Sequence, residues 1–311
     1  MPSLSMSLLA FDITWSEKES RSVLISLRDR VPMISRILPW RESCMYIAII
    51  IGACLLGAPG VFALSTLLGI LGIIEYRKIH FPDLRNNIPG IIYDCIGVVL
   101  LANSVLIAPF FAWLVWLIGR MIITLYSDES SAARSFIYDI TGQIYIGLPL
   151  ALMSGMSYLF HSGMPLLSIF ILIWVNDTGA FLFGSTFGRH RLFERISPKK
   201  SWEGFWGGMI CCIISGALIG YFGKAINLCP ASGVTATTLY WAIAGIVICI
   251  AATYGDLFES FIKRRHNLKD SGNLSPGHGG ILDRIDSLLM VIPAMSVYIA
   301  LWMAIHLTQL P

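Results

Sequence analysis

The chain has 311 residues, of which 56% are apolar and 13% charged. Average soluble domains carry about 25% charged residues, and the mean hydropathy here is +0.72. A water-soluble globular protein and an intrinsically disordered one are both excluded. The formal net charge of +3 gives no basis for binding nucleic acid.

Residues 1–43 are mixed and polar, with Glu17, Lys18, Glu19, Arg21, Arg28, Asp29, Arg30 and Arg36. No apolar core follows the start methionine closely, so a cleavable signal peptide is not expected. Residues 23–38 read either as an amphipathic interfacial stretch or as a polar tail.

A bilayer-spanning helix needs about 20 mostly apolar residues. Such runs lie near 44–58, 60–75, 90–106, 107–125, 136–154, 164–184, 205–223, 239–257 and 287–307. The expected fold is all-α, a polytopic integral membrane protein of about nine transmembrane helices. Only Ala58-Pro59-Gly60 separates the first two, so eight remains open if one is re-entrant. Positive charge accumulates on the cytoplasmic side of membrane proteins. With nine spans and the N-terminus inside, all but Lys224 of the 22 basic residues fall on that side. Three regions follow: the polar segment 1–43, N-terminal helices over 44–160, and a C-terminal catalytic region over 161–311. Seven cysteines, Cys44, Cys54, Cys95, Cys211, Cys212, Cys229 and Cys249, are scattered mostly through apolar runs without zinc-ligand spacing. They read as small packing residues. Gly207, Gly208, Gly216 and Gly220 permit close helix packing.

Two cytoplasmic stretches are more polar than connectors require. The first holds Asn176-Asp177-Thr178-Gly179-Ala180 and Ser197-Pro198-Lys199-Lys200-Ser201-Trp202-Glu203-Gly204. The second runs from Asp256 to Asp286. Asp177, Asp256, Asp283 and Asp286 all border apolar runs, and ionisable groups at membrane depth are costly and usually mark function. Asp283 and Asp286 are three apart and share a helix face. With Asp256 they make a hard-oxygen cation site suited to Mg²⁺, which takes one or two carboxylates plus substrate phosphates. The plain alternative is that both acids merely counter a helix dipole, worth about 0.3–1 kcal/mol. Pro276-Gly277-His278-Gly279-Gly280 precedes that helix, and such glycines let backbone amides approach a phosphate at a helix N-terminus. Lys199, Lys200, Lys263 and Lys269 can neutralise phosphate charge. For Arg189, Arg191, Arg195 and Arg265 the positive-inside bias suffices.

The stretch from Ser260 through Lys263-Arg264, Lys269-Asp270-Ser271-Gly272 and Ser275-Pro276-Gly277-His278-Gly279-Gly280 to Asp283-Arg284-Ile285-Asp286 closely resembles the signature of the phosphatidate cytidylyltransferase (CDP-diacylglycerol synthase) family. The two upstream blocks look like that family's others. The resemblance covers about residues 170–290, and the N-terminal third matches only as apolar helices with Glu75 near a helix end. Ser201 departs from the family's more frequent threonine but keeps the hydroxyl. The segment before residue 43 looks longer than is usual there.

The resemblance implies transfer of CMP from CTP to phosphatidate, giving CDP-diacylglycerol and pyrophosphate for phospholipid synthesis. A phosphatidate oxygen, already anionic, would attack the α-phosphorus in line. The main demand is neutralising and aligning two anions. Catalytic candidates are Asp283, Asp286, Lys200, Ser197 and His278, the last orienting a phosphate or the Asp283 carboxylate. Substrate-binding candidates are Lys199, Ser201, Asn176, Asp177, Lys263, Arg264, Lys269, Gly277, Gly279 and Gly280. Metal candidates are Asp256, Asp283 and Asp286, for Mg²⁺, with a second cation of open identity. A homodimer and a bacterial-type inner membrane, with the site facing the cytoplasm, complete the expectation.

A CTP-dependent lipid-alcohol kinase shares the same frame but would direct attack at the terminal phosphorus of CTP. An organic-anion transporter would use Asp177 and the glycine-rich break as ligands. It predicts matching broken helices in two halves, whereas the polar residues here cluster in the C-terminal half. CDP-alcohol phosphotransferases are disfavoured for want of a D-G-x-x-A-R block. Polyprenyl transferases are disfavoured because Asn176-Asp177 is followed by Ala180 and Phe181.

Overall fold

A computed structural model describes residues 44–80, 88–127, 132–223, 234–268, 271–272 and 279–307. The segment 1–43 lies outside them, as do the candidate residues Lys269, Gly277 and His278. Residues Ile50–Pro311 form one compact unit. Of the unit before it, only the start of helix α1 (Cys44–Leu55) is described.

After α1 come α2 (Ala58–His80), α3 (Ile88–Ala102), α4 (Ile107–Leu125), α5 (Ala132–Leu159) and α6 (Met164–Phe187). A hairpin of β1 (Arg191–Phe193) and β2 (Ser197–Ser201) leads to α7 (Trp202–Gly223), α8 (Val234–Arg265) and α9 (Leu282–Leu307). The fold is helical, as expected, and the protein is an integral membrane protein. Each of the nine apolar runs meets a helix. Seven of these, α2 and α4 to α9, are long and apolar enough to cross a membrane. At 15 residues α3 is about 22 Å long, short of a hydrocarbon core of about 30 Å. The break after α1 falls at Gly57, whose φ of +69° is the left-handed conformation that ends helices. Pro59 sits in the first turn of α2, where its missing N–H costs nothing.

Within α5, residues Gln143–Gly147 widen into a π turn. Pro149, two residues after it, cannot donate to the turn before it, and π turns absorb such a defect. The turn lets the Gln143 amide donate to the Asp94 carbonyl at 2.9 Å. Around it four helices share four charges. Arg77 of α2 pairs with Asp94 of α3 and lies 3.5 Å from Asp139 of α5, which also pairs with Arg120 of α4. Both carboxylates are 1% exposed. Arg77 and Arg120, which the charge count assigned to the cytoplasmic side, are therefore held by acids inside the helix packing.

In the C-terminal half, α8 packs between α7 and α9 and also touches α6. Small residues let backbones approach. A Cβ at Gly216 or Gly220 would strike the Trp241 or Thr237 carbonyl, and one at Gly245 the Cys212 carbonyl. Gly207 lies against the Phe183 ring and Gly208 against Asn176. The four glycines noted in the sequence are thus all used for packing inside one chain. Cys212 and Cys249 are buried between α7 and α8 with Met209. All six described cysteines are free, in keeping with a packing role.

Candidate functional site

The first polar block, Asn176–Ala180, lies inside helix α6, within the apolar run expected over 164–184. α6 continues through Asn176–Ala180 because Asn176 and Gly179 face α7, with the Gly179 Cα side against Cys211 and Gly208. Asn176 is 3% exposed. Its amide donates to Asp177 Oδ1 at 3.5 Å, and its own Oδ1 is buried without a partner. Asp177 sits at the opening of the helix face.

The hairpin then brings back the lysines. Arg191 pairs with Ser201 and Phe193 with Ser197, so β2 carries a bulge. The Trp202 amide donates to the His190 carbonyl, and the His190 ring meets Glu203 at 2.7 Å, which closes the hairpin onto α7. Ser201 Oγ accepts the Gly204 amide at 3.2 Å. This is an N-cap bond three residues into the helix, worth about 1 kcal/mol. Its hydroxyl, expected at the substrate, thus has a capping duty.

Lys200 reaches α8. Its ammonium lies 2.6 Å from Asp256 Oδ2 and donates to the Thr253 carbonyl at 3.3 Å. Ser260 donates to the other Asp256 oxygen at 3.3 Å. A cavity of about 590 Å³ opens here, lined by Asn176, Asp177, Lys199, Lys200, Ser201 and Asp256 among others. Ser197, at the far end of β2, is not among its walls.

Asp286 of α9 completes this group from the side. α8 and α9 touch closely at Gly255, where a Cβ would lie 2.8 Å from the Asp286 carbonyl. Ser287 donates to the Ala252 carbonyl at 3.3 Å. The Asp286 carboxylate feels the charges of Asp256, Asp177 and Lys200. Three acids and one lysine from α6, β2, α8 and α9 thus share one electrostatic neighbourhood.

Asp283 belongs to a second group. Its Oδ1 meets Lys263 Nζ at 2.6 Å, and Lys263 also pairs with Glu259 one turn back. Its Oδ2 accepts the Ser271 amide at 3.0 Å and the Gly280 amide at 2.7 Å. Lys263 is therefore bound by two carboxylates. Arg264 is exposed and donates to the Leu268 carbonyl. Because α8 and α9 run antiparallel, the two groups are successive rungs of one seam. The three acids expected to share a metal divide between the rungs.

Two of the glycines expected to cradle phosphate, Gly279 and Gly280, lie against carboxylates of the protein. The amides of Ile281 and Leu282 donate to Glu75 of α2 at 2.8 and 2.9 Å, and that of Gly280 to Asp283. Carboxylates of the protein thus occupy the N-terminus of α9. Gly279 adopts φ +71°, and a Cβ there would strike the Asp283 carboxylate.

Glu75, Glu259 and Tyr145 were given no role from the sequence. The Tyr145 hydroxyl is buried without a hydrogen-bond partner and senses Asp286 and Glu259. Glu259 could have been found from its spacing, three residues after Asp256 and four before Lys263. Glu75 is a single acid in an apolar helix, which marks function without naming its partner.

Among the described residues, no three His, Cys, Asp or Glu side chains group closely enough to hold a metal ion by themselves. The donor set still fits Mg²⁺, because hard carboxylates around Asp256 and Asp286 would need only substrate phosphates to complete an oxygen shell. The arrangement can bind polyphosphate through Lys199 and Lys200 and neutralise it beside an apolar helix surface.

A family model described as the cytidylyltransferase family matches residues 39–302. The phosphatidate cytidylyltransferase of Staphylococcus aureus strain COL is 40% identical over 134 residues, 42% of this chain and 47% of its own length. That of Staphylococcus haemolyticus strain JCSC1435 is 40% identical over 132 residues, with the same shares. That of Staphylococcus saprophyticus subsp. saprophyticus is 36% identical over 159 residues, 49% of this chain and 55% of its own length. The chain matches about half the length of these curated relatives.

Proposed function

Because the chain belongs to the cytidylyltransferase family, we propose that it transfers CMP from CTP to phosphatidate, giving CDP-diacylglycerol and pyrophosphate. The observation that carries this reading is the cavity lined by Lys199 and Lys200 of the hairpin together with Asp177 of α6 and Asp256 of α8, with Lys200 2.6 Å from Asp256. It combines charges for a polyphosphate with direct access from lipid. The curated relatives named phosphatidate cytidylyltransferase supply the substrate pair.

In this reading Lys199 and Lys200 bind and align the phosphates, and Asn176 and Asp177 close the polar wall. The phosphatidate oxygen is already anionic, so no general base is required, and alignment carries the rate. Asp256 and Asp286 would hold Mg²⁺ together with substrate phosphates, and the ion supplies neutralisation of their charge. Asp283 would join them only on releasing Lys263. Lys263 and Arg264 would then be free for the triphosphate tail. The active site faces the cytoplasm of an inner membrane, with the N-terminus inside, on the strength of the basic-residue distribution. A homodimer belongs to the reading on the resemblance alone.

The test uses purified protein in detergent with phosphatidate, Mg²⁺ and CTP labelled at either the α- or the γ-phosphate. The reading expects α-label in lipid, lost on chelation and in Asp256→Asn. Terminal label in lipid would instead establish the lipid-alcohol kinase. Transport of substrate into liposomes without either product would establish the transporter.

A further inference from the structure

Glu75 lies in the middle of the apolar packing, 4% exposed, on a helix otherwise remote in sequence from the site. Its Oε1 accepts the Ile281 amide, and its Oε2 accepts the Leu282 amide and the Ser271 hydroxyl at 3.2 Å. Among the described residues no lysine or arginine pairs with it, so these donors and the positive end of α9 are what hold the charge. Two glycines of the motif are shaped around it. A Cβ at Gly272 would lie 2.8 Å from its Oε1, and one at Gly280 would collide with its Oε2. A side chain at either position would push the carboxylate off the amides.

The residues Glu75 holds are those that aim the acids. Ser271 also gives its amide to Asp283, and Gly280 gives Asp283 a second. Ile281 and Leu282 open the helix that carries Asp283 and Asp286. We propose that Glu75 is a positioning residue that locks the start of α9 and thereby sets Asp283 against Lys263 and fixes where Asp286 falls one turn further along. The proposal rests on the CMP-transfer reading. At this helix N-terminus, flanked by glycines, the protein supplies its own carboxylates.

Glu75→Gln keeps shape and volume but turns an NH₂ toward amide donors, whereas Glu75→Asp keeps the charge on a shorter arm. Ser271→Ala removes one bond to Glu75 and leaves the buried carboxylate in place. Each variant is purified as the full chain in detergent, and kcat, KM for CTP and for phosphatidate, and the thermal midpoint are measured with α-labelled CTP. Glu75→Gln is expected to lose roughly 100-fold in kcat, as a misaligned reacting group does, with both KM values nearly unchanged. Glu75→Asp should recover part of that loss, and Ser271→Ala should lower kcat several-fold at an unchanged midpoint. The proposal is overturned if Glu75→Gln retains wild-type kcat. It is equally overturned if Glu75→Gln unfolds while Ser271→Ala is wild type in kcat. Failure of the wild-type protein to label lipid would overturn the function reading itself, a distinct result.

Discussion

The Lys200 ammonium sits 2.6 Å from the Asp256 carboxylate and joins the hairpin to the seam between α8 and α9. Each residue orients the other, so their effects should not multiply. Lys200→Ala and Asp256→Ala are each expected to lower incorporation of α-label into lipid by roughly 100-fold, and the double variant to be little worse than either. A double loss equal to the product would show that the two act independently.

Ser201 separates a capping role from a substrate role. If the cap is its main duty, Ser201→Ala lowers stability by about 1 kcal/mol, with kcat and KM close to wild type. Ser201→Thr keeps the hydroxyl and should match wild type in both. A rise in KM for CTP in Ser201→Ala would assign the hydroxyl to substrate.

Gly279→Ala forces a side chain into the left-handed region, at about 1–2 kcal/mol. It also presses on the Asp283 carboxylate. The expected outcome is a lower thermal midpoint together with a fall in kcat, because Asp283 loses its place against Lys263. Full activity in this variant would show that the Asp283–Lys263 pair is not needed in the working state.

The crossing of α2 to α5 should behave as a set. Arg77→Ala leaves Asp94 without its partner and is expected to cost about 3–5 kcal/mol, the usual penalty for orphaning a buried charge. Adding Asp94→Asn should return part of that loss. Thermal unfolding in detergent reads both, and an additive double variant would contradict the pairing.

The helices were legible because apolar runs of bilayer length leave few alternatives, and α4 can be read to the residue and α7 to within three. The ends were less so. Asn176 and Asp177 fall inside the run read over 164–184, but polarity alone does not say which helix face looks into a cavity. Lys199, Lys200, Asp177 and Asp256 were recognisable from type and spacing, and they do line one cavity. The division of Asp283 from Asp286 was not. Residues three apart on a helix share a face, but which neighbour each meets depends on how α8 passes α9 at Gly255. Glu75 was the least legible, since its partners lie 206 and 207 residues further along the chain.

The four charges near the π turn also bear on how the chain enters the bilayer. A lone arginine or aspartate at the centre of an inserting helix costs about 2.5–3.5 kcal/mol. Arg77 and Asp94 sit on consecutive helices, as do Arg120 and Asp139. Each cost is offset only when both members arrive together. α2 with α3, and α4 with α5, are therefore expected to enter the bilayer more readily as pairs than singly, and Arg77, 3.5 Å from Asp139, links the second pair to the first.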